Sequence, residues 1–264
     1  MKIGFIGCGN MGSALAKAAG SADKAELYLA DYSIEKAEEL AGELSGKACS
    51  NKEIAACCDI VFLAVKPNVI EAVTLDIANE LRGARPLVVT MAAGIRIERL
   101  AAILGADYPI IRIMPNTPAA VGRGMITWCK SEAVGEELAE KFTLSLSAAG
   151  RLDMIPEAQI DAASAIAGCG PAFVYMFADA LADGGVRVGL PREKALAYAI
   201  ETIIGAGEMM KATGKHPEKL KDEVCSPGGS TIEGVLALED GAFRATAAGA
   251  VIAAFEKTKL LGKK

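Results

Sequence analysis

Residues 2–12 read KIGFIGCGNMG, an apolar strand that runs directly into a glycine-rich turn and then into a helix. Gly7, Gly9 and Gly12 have the spacing G-x-G-x-x-G in the strand–turn–helix context that binds a dinucleotide. Gly7 permits the tight turn, Gly9 lets a pyrophosphate approach the backbone, and Gly12 lets helix and strand pack closely. Asn10 and Met11 open the helix, whose free N–H groups and positive dipole end favour phosphates. Since glycines also serve ordinary turns, the prediction that these five residues bind a dinucleotide depends on the pattern that follows.

The first half of the chain alternates short apolar runs with amphipathic stretches. Runs rich in Ile, Val, Leu and Phe indicate buried parallel strands, and they are KIGFI, ELYLA, DIVFLAV, PLVVT and PIIRIM. Helices are predicted between them at Asn10–Gly20, Ile34–Leu44, Lys52–Cys58, Asn68–Leu81 and Ile97–Leu104. A further strand is predicted at Met125–Cys129, and a closing helix at Glu132–Ala149. Repeated strand–helix units indicate an α/β fold with a doubly wound Rossmann sheet.

The strand pattern stops after about Asp153. The later apolar segments are predicted as helices, at Pro156–Ala167, Pro171–Val188, Arg192–Thr213, Pro217–Val224, Thr231–Leu238 and Ala242–Leu261. We therefore expect a dinucleotide-binding Rossmann domain at residues 1–153 and an all-helical domain at residues 154–264. The apolar content of this small helical domain suggests burial against a partner, so an obligate homodimer through this half is expected.

Composition excludes several classes of function. The net charge of −5, with a pI near 5.2, argues against nucleic acid as the main partner, because phosphate binding needs a basic face. The N-terminal apolar run is short and breaks at glycines, so we expect no signal peptide and no membrane span there. The seven cysteines are scattered and indicate reduced thiols in a cytoplasmic protein. His216 is the single histidine, so no metal site and no Ser-His-Asp machinery are expected, and the chemistry must come largely from a cofactor.

Asp31 ends the second predicted strand, at the spacing where an acid meets the adenosine ribose. The alternative is a helix-cap region, with Ser33 as the cap before Ile34. A ribose-binding carboxylate favours NADH and repels a 2′-phosphate, whereas Lys36 is close enough to reduce that repulsion. The choice between NADPH and NADH therefore stays open.

Two further loops follow predicted strands at the carboxyl edge of the sheet, where ligands bind. Residues 64–67 (Ala64, Val65, Lys66 and Pro67) follow the third strand, and Pro67 cannot continue the ladder. Asn116 lies in a stiff loop between two prolines after PIIRI. A solvated charge at Lys66 and an ordinary proline turn around Asn116 explain the same residues without a ligand.

Residues 226–231, SPGGST, form the most distinctive loop of the second half. Ser230 and Glu233 have capping-box spacing, so a plain helix start is one interpretation. However, Gly228 and Gly229 can turn successive N–H groups toward one anion, and the dipole of the following helix adds to the attraction. A small carboxylate suits such a site.

The second half also resembles the pyrroline-5-carboxylate reductase family. The resemblance rests on HPEKLKDEV at residues 216–224, SPGGST at 226–231, Gly234 and Leu238-Glu239. Other similar segments occur in the family's order, namely the glycine loop at 7–12, Ala64–Pro67, Asn116-Thr117-Pro118, Gly168–Pro171 and residues 179–185. The similarity covers nearly the whole chain.

The resemblance implies reduction of 1-pyrroline-5-carboxylate, a cyclic imino acid, to L-proline by hydride transfer from NADPH or NADH, the last step of proline biosynthesis. It implies a helical dimerisation domain with interlaced subunits. Gly228, Gly229 and Ser230 are expected to hold the substrate carboxylate, with the catalytic Thr231 hydroxyl against the ring nitrogen. Asn116 and residues 64–67 are expected beside the cofactor. Two residues depart from the family pattern: Cys169 stands where Ser is usual, and Asp31 where many relatives have a neutral or basic residue.

Two rival functions fit the sequence less well. A 3-hydroxyacid dehydrogenase shares the Rossmann-plus-helical arrangement. Oxidation of an alcohol needs a base, which in that family is usually a Lys on a helix of the second domain. This chain has no Lys between Leu152 and Pro191. A nucleotide-sensing regulator would not need a loop for a small carboxylate. Reduction of a protonated imine needs little acid–base apparatus from the protein, which agrees with the scarcity of histidine.

Overall fold

One sheet organises the first part of the chain in the computed structural model, which describes residues 1–21 and 25–261. Within those residues the strands are β1 (Lys2–Ile6), β2 (Glu26–Ala30), β3 (Lys47–Ala48), β4 (Ile60–Leu63), β5 (Leu87–Thr90), β6 (Ile110–Met114), β7 (Gly124–Lys130) and β8 (Gly150–Met154). Their order across the sheet is β3-β2-β1-β4-β5-β6-β7-β8. Neighbouring strands are parallel except for β6 and β7, which are antiparallel. The predicted Rossmann sheet is confirmed.

Helices cover both faces of the sheet and then continue without strands in the described chain after Met154. They are α1 (Asn10–Gly20), α2 (Ile34–Leu44), α3 (Asn51–Cys57), α4 (Ile70–Asp76), α5 (Ala78–Ala84), α6 (Ile97–Leu104), α7 (Glu136–Ser145), α8 (Glu157–Ala167), α9 (Gly170–Arg187), α10 (Arg192–Thr213), α11 (Pro217–Val224), α12 (Ser230–Asp240) and α13 (Phe243–Leu261). The all-helical second half is therefore confirmed as well.

Strand order reverses between β3 and β4. The chain first builds outward from β1 to β2 and β3, and then crosses to place β4 on the other side of β1. β1 and β4 end side by side, with Ile6 opposite Leu63. Loops that leave such a point toward opposite faces open the crevice where doubly wound sheets bind ligands. The two predicted loops at residues 7–12 and 64–67 both start here.

Side chains that alternate along the central strands fill two apolar layers. On the face covered by α1, Phe5 of β1 stacks on Phe62 of β4 with ring centroids 4.5 Å apart. On the other face, Val61 and Leu63 belong to the cluster that includes Ile54 of α3. Because both faces are buried, these strands are continuous apolar runs, which is why the sequence reveals them.

Some predicted elements differ from the structure. The helix predicted at Asn68–Leu81 is two short helices, α4 and α5, which meet at Ile77. Two strands were not predicted at all. β3 consists of two exposed residues, and β8 lies at the edge of the sheet with partly exposed residues, so neither has an apolar run.

The described chain divides into two compact units. The first comprises Met1–Cys169 together with the described residues from Ala254 onward, and the second comprises Gly170–Ala253. Helix α8 therefore belongs with the sheet, and it packs on β6 and β7. The domains predicted at residues 1–153 and 154–264 stay a prediction, since a compact unit need not coincide with a sequence domain.

Helices α9 and α10 pack against each other in the second unit. Their buried residues are small, and they are Ala178, Ala182, Ala195 and Ala199. Larger apolar side chains of the same two helices are exposed, including Tyr175 (63%), Met176 (73%) and Ile204 (53%). The pair therefore leaves much of its apolar surface without cover from the described part of the chain.

Candidate active site

The glycine loop after β1 is shaped by two close backbone approaches. Gly7 has φ +111, and a Cβ there would lie 2.6 Å from the carbonyl oxygen of Ala64. A Cβ on Gly12 would lie 2.0 Å from the carbonyl oxygen of Gly7. Glycine is required at Gly7 because L residues avoid this φ, and at both positions because no side chain fits these gaps. The loop is thereby held against the start of residues 64–67.

Gly9 lies in open space at the N-cap position of α1. Apart from Gly9 and its two chain neighbours, no atom of the described residues lies within 4 Å of a Cβ built on Gly9. Its φ of −73 and ψ of −177 are ordinary extended values, and no side chain in the described structure caps α1. The first N–H groups of a helix have no partner within the helix. Asn10 and Met11 thus present free N–H groups beside an open position, which is the arrangement that fits a pyrophosphate.

Asp31 is bonded to the glycine loop. Its Oδ2 accepts a hydrogen bond from the N–H of Cys8 at 2.7 Å, and its Oδ1 accepts one from the N–H of Ser33 at 3.0 Å. Burial raises the pKa of the Cys8 thiol to about 11, and the negative charge of Asp31 adds to the rise. The thiol in the loop therefore stays neutral, and it does not repel a phosphate. Ser33 occupies the N-cap position of α2, but no capping bond from its side chain is present in the described structure.

A cavity of about 360 Å³ lies beyond the end of β2. It is lined by Ala30, Asp31, Ile34, Ala37, Glu38, Ala48, Cys49, Ser50 and Asn51. In a doubly wound fold the adenosine ribose binds at this end of the second strand. The cavity is therefore the candidate adenosine site.

The structure places residues 64–67 beside the glycine loop, as the strand order requires. The N–H of Ala64 donates to the carbonyl of Ile6 at 2.8 Å, so the end of β4 is fixed to the end of β1. Lys66 is exposed, whereas Val65 and Pro67 are half-buried. Glycine loop, Asp31 and residues 64–67 thus meet at one edge of the sheet.

Asn116 lies apart from this group, at the end of β6, two strands beyond β4. The side chain is 7% exposed. Its Nδ2 donates to the carbonyl of Ala167 at 2.9 Å, and its Oδ1 accepts from the N–H of Met125 at 2.9 Å. Asn116 therefore ties its loop to β7 and to the end of α8, and its place beside a cofactor stays a prediction.

The SPGGST loop lies in the second unit and leads into α12. The N-cap of α12 is Gly229, and no side-chain capping bond is present there among the described residues. The capping box considered for Ser230 and Glu233 is therefore wrong, because the helix begins one residue too early for it. Ser230 and Thr231 are exposed in the first turn.

Each glycine of this loop has a distinct local role. Gly228 has φ +67, the left-handed conformation that favours glycine. The N–H of Gly229 donates to the carbonyl of Ser226 at 3.0 Å, and a Cβ on Gly229 would lie 2.4 Å from the Oγ of Ser226. Gly229 thus closes the turn, and the uncapped N-terminus of α12 remains open to an anion.

Comparison with known proteins decides the family. A family model described as pyrroline-5-carboxylate reductase dimerisation matches residues 157–261, and one described as NADP oxidoreductase coenzyme F420-dependent matches residues 2–94. Pyrroline-5-carboxylate reductase 3 of Danio rerio is 40% identical over 100% of this chain and 92% of its own length. The chain belongs to the pyrroline-5-carboxylate reductase family. The reductase of Escherichia coli (strain K12) is 39% identical, over 99% of this chain and 98% of its own length.

Solved structures of the pyrroline-5-carboxylate reductase family share the whole architecture. The enzyme of Plasmodium falciparum, solved with NADP bound, has a TM-score of 0.90 at 35% identity and covers 99% of this chain and 98% of its own. A ketol-acid reductoisomerase from an uncultured archaeon has a TM-score of 0.64 at 16% identity, covering 98% of this chain and 82% of its own, which shows the fold alone. The resemblance inferred from the sequence is confirmed.

One buried group of this family member was not predicted from its sequence. The side chain of Arg112 on β6 is 0% exposed and forms ion pairs with Asp161 at 2.5 Å and with Glu157 at 3.5 Å. The same Glu157 carboxylate accepts the N–H of Ile97 at the start of α6 at 2.8 Å. The group therefore fastens the first half of α8 to the sheet. The signal was a single charged residue within the apolar run PIIRIM.

Proposed function

We propose that this protein reduces 1-pyrroline-5-carboxylate to L-proline with a hydride from NADPH or NADH. Family membership over the full length of the chain is the observation that carries the proposal. The relatives bear the name of this activity, and the Plasmodium falciparum structure has NADP bound. No observation favours the rival hydroxyacid dehydrogenase.

The glycine loop fits a dinucleotide by its own geometry. Gly9 leaves room for a pyrophosphate, and Asn10, Met11 and Gly12 supply the first N–H groups of α1 next to Gly9. Bound NAD(P)H supplies the hydride for the imine carbon. Asp31 holds the loop in shape through the N–H of Cys8, and residues 64–67 support it from β4. These residues are proposed as the cofactor site.

The start of α12 is proposed to hold the substrate carboxylate. Gly228 and Ser230 provide N–H groups near the positive end of the helix dipole, and Gly229 shapes the turn between them. The hydroxyl of Thr231 is proposed to accept a hydrogen bond from the protonated ring nitrogen. Two anchors fix the orientation of a small ring, which is the main task that hydride transfer leaves to the protein.

The helical unit is proposed to form a homodimer. Its match to a dimerisation family model and the exposed apolar side chains of α9 and α10 support this assembly. Light scattering should give at least twice the chain mass of 27.3 kDa at micromolar concentration. A stable monomer would contradict the proposal.

The protein is proposed to work in the cytoplasm, away from membranes. One helical stretch of the described chain, Glu157–Arg187, is long and apolar enough to span a membrane by length and composition. However, it consists of the two helices α8 and α9, and α8 packs on the sheet with Ile160 fully buried. The exposed apolar side chains of α9, such as Tyr175 and Met176, belong to the surface proposed to be covered by the second subunit.

The decisive experiment follows the absorbance of NADPH and NADH with the purified protein and the cyclic imine. Oxidation that depends on the imine, with L-proline as the product, is expected. Parallel assays contain a 3-hydroxyacid with the oxidised cofactor, or no substrate. Turnover of the hydroxyacid without turnover of the imine would overturn the assignment, as would the absence of any imine-dependent oxidation.

A further inference from the structure

The segment that follows β2 carries negative charge at the edge of the candidate adenosine site. Asp31 comes first, the fully exposed Tyr32 follows, and Glu35 lies in the first turn of α2. Of the residues that line the cavity there, Asp31 and Glu38 are acidic and none is Lys or Arg. A ribose 2′-phosphate, which carries nearly two negative charges, is repelled by such a lining.

Glu35 is held at the N-terminus of α2 by its own neighbours. The hydroxyl of Ser33 donates to its Oε2 at 2.7 Å. That bond, together with one from the backbone N–H of Glu35 itself, holds the pKa of this exposed carboxyl below its usual range. Glu35 is therefore ionised at neutral pH, and an anion of the chain itself lies where a helix N-terminus attracts anions.

Ser33 and the start of α2 follow Asp31, which lines the cavity, and carry the hydroxyl and N–H donors of this segment. The Ser33 hydroxyl is directed to Glu35, and its N–H donates to Asp31 at 3.0 Å. The two hydrogen-bond donors of Ser33, its N–H and its hydroxyl, are thus bonded to the carboxylates of Asp31 and Glu35. A 2′-hydroxyl needs neither donor, because an uncharged group is not repelled by the acids around it.

We propose that Glu35, together with the acids that line the cavity, excludes a ribose 2′-phosphate, and that the protein therefore selects NADH over NADPH. The proposal rests on the proposed function only in assuming that the Rossmann unit binds a nicotinamide dinucleotide. Lys36 is exposed at the next position of α2, and like Glu35 it lies outside the lining of the cavity. Lys36 therefore lessens the repulsion, but Asp31, Glu35 and Glu38 outnumber it.

Equilibrium binding tests the proposal without catalysis. The dissociation constants of NADH, NADPH, 5′-AMP and 2′,5′-ADP are measured by calorimetry for the wild type, Glu35→Gln and Glu39→Gln. Glu39 is exposed on the same helix one turn further along, so its variant changes the net charge equally at a different place. Both substitutions preserve side-chain size, so the fold should be unaffected.

The wild type should bind NADH at least about tenfold more tightly than NADPH, and 5′-AMP more tightly than 2′,5′-ADP. Glu35→Gln should tighten NADPH and 2′,5′-ADP by about fivefold or more, because one charge near a dianion is removed. NADH and 5′-AMP should change by less than about twofold, and Glu39→Gln should resemble the wild type. Equal affinity of the wild type for both cofactors, or equal effects of the two substitutions, would overturn the proposal. NADH selection without imine reduction would instead refute the proposed function alone.

Discussion

Replacing Gly9 with alanine should separate cofactor binding from folding. In the structure, no described atom beyond the two chain neighbours of Gly9 lies within 4 Å of the added Cβ, and the backbone conformation of Gly9 is one that alanine adopts readily. The substitution changes only the N-cap residue of α1, which costs about 1 kcal/mol or less. The thermal midpoint of the protein without cofactor should therefore change little.

The same methyl group occupies the space proposed for the pyrophosphate. Displacing a phosphate from the N–H groups at the start of α1 loses at least one charge-assisted hydrogen bond, worth about 1.5–3 kcal/mol. The dissociation constant of NAD(P)H should rise by about ten- to a hundredfold.

Gly12→Ala is the matched comparison. Its Cβ would lie 2.0 Å from the carbonyl oxygen of Gly7, so α1 must move by about 1 Å before the methyl group fits. Such overpacking costs about 1–3 kcal/mol. Gly12→Ala should therefore lower both stability and affinity, whereas Gly9→Ala should lower affinity alone.

Calorimetric titration gives the affinities, and urea unfolding without cofactor gives the stabilities. Wild-type affinity of the folded Gly9→Ala variant would refute the assignment of the loop to the pyrophosphate. A Gly9→Ala variant as unstable as Gly12→Ala would contradict the inference that a methyl group at Gly9 is accommodated without strain.

Three further substitutions test other parts of the molecule. Thr231→Val should fold normally and lower kcat/KM for the imine about ten- to a hundredfold with unchanged NAD(P)H affinity; steady-state kinetics with wild-type efficiency would exclude a role for the hydroxyl. Asp31→Ser should raise the NADPH/NADH ratio of kcat/KM, because it removes a negative charge near the 2′-phosphate; an unchanged ratio would leave Asp31 only its bonds to Cys8 and Ser33. Arg112→Met should destabilise the protein by about 3 kcal/mol in urea unfolding, since Asp161 and Glu157 lose their partner; a change below about 1 kcal/mol would contradict the anchoring of α8.

The fold was predictable where one physical effect dominates a segment. β1, β4, β5 and β6 are buried on both faces and therefore read as apolar runs. β8 was missed because an edge strand with partly exposed residues needs no such run, and its pairing with β7 is a long-range property. The break at Ile77 has no Gly or Pro to mark it, so the apolar periodicity of Asn68–Leu81 suggested one helix.

The site was predictable where its geometry is local. The glycine loop is defined by backbone contacts within a few residues and with the adjacent strand, so its spacing identifies it. The hydrogen bonds of Asn116 join residues as many as 51 positions apart, and those of Arg112 join residues up to 49 positions apart. No local pattern records these partners. Ser230 was considered as a helix cap on spacing alone, and the fold of the SPGGST loop moves the cap to Gly229.

The division of the chain into units has a consequence for the order in which the protein folds during synthesis. The helical unit, Gly170–Ala253, is inserted between two parts of the sheet unit, whose last described part starts at Ala254. In that last part, Thr258 is buried and, with Lys259, lines a cavity together with the residues that lead into α6. The sheet unit, although encoded mostly first, therefore gains its final packing only when the end of α13 has left the ribosome. Because α13 contributes to both units, the helical unit and the sheet unit are completed almost together at the end of synthesis.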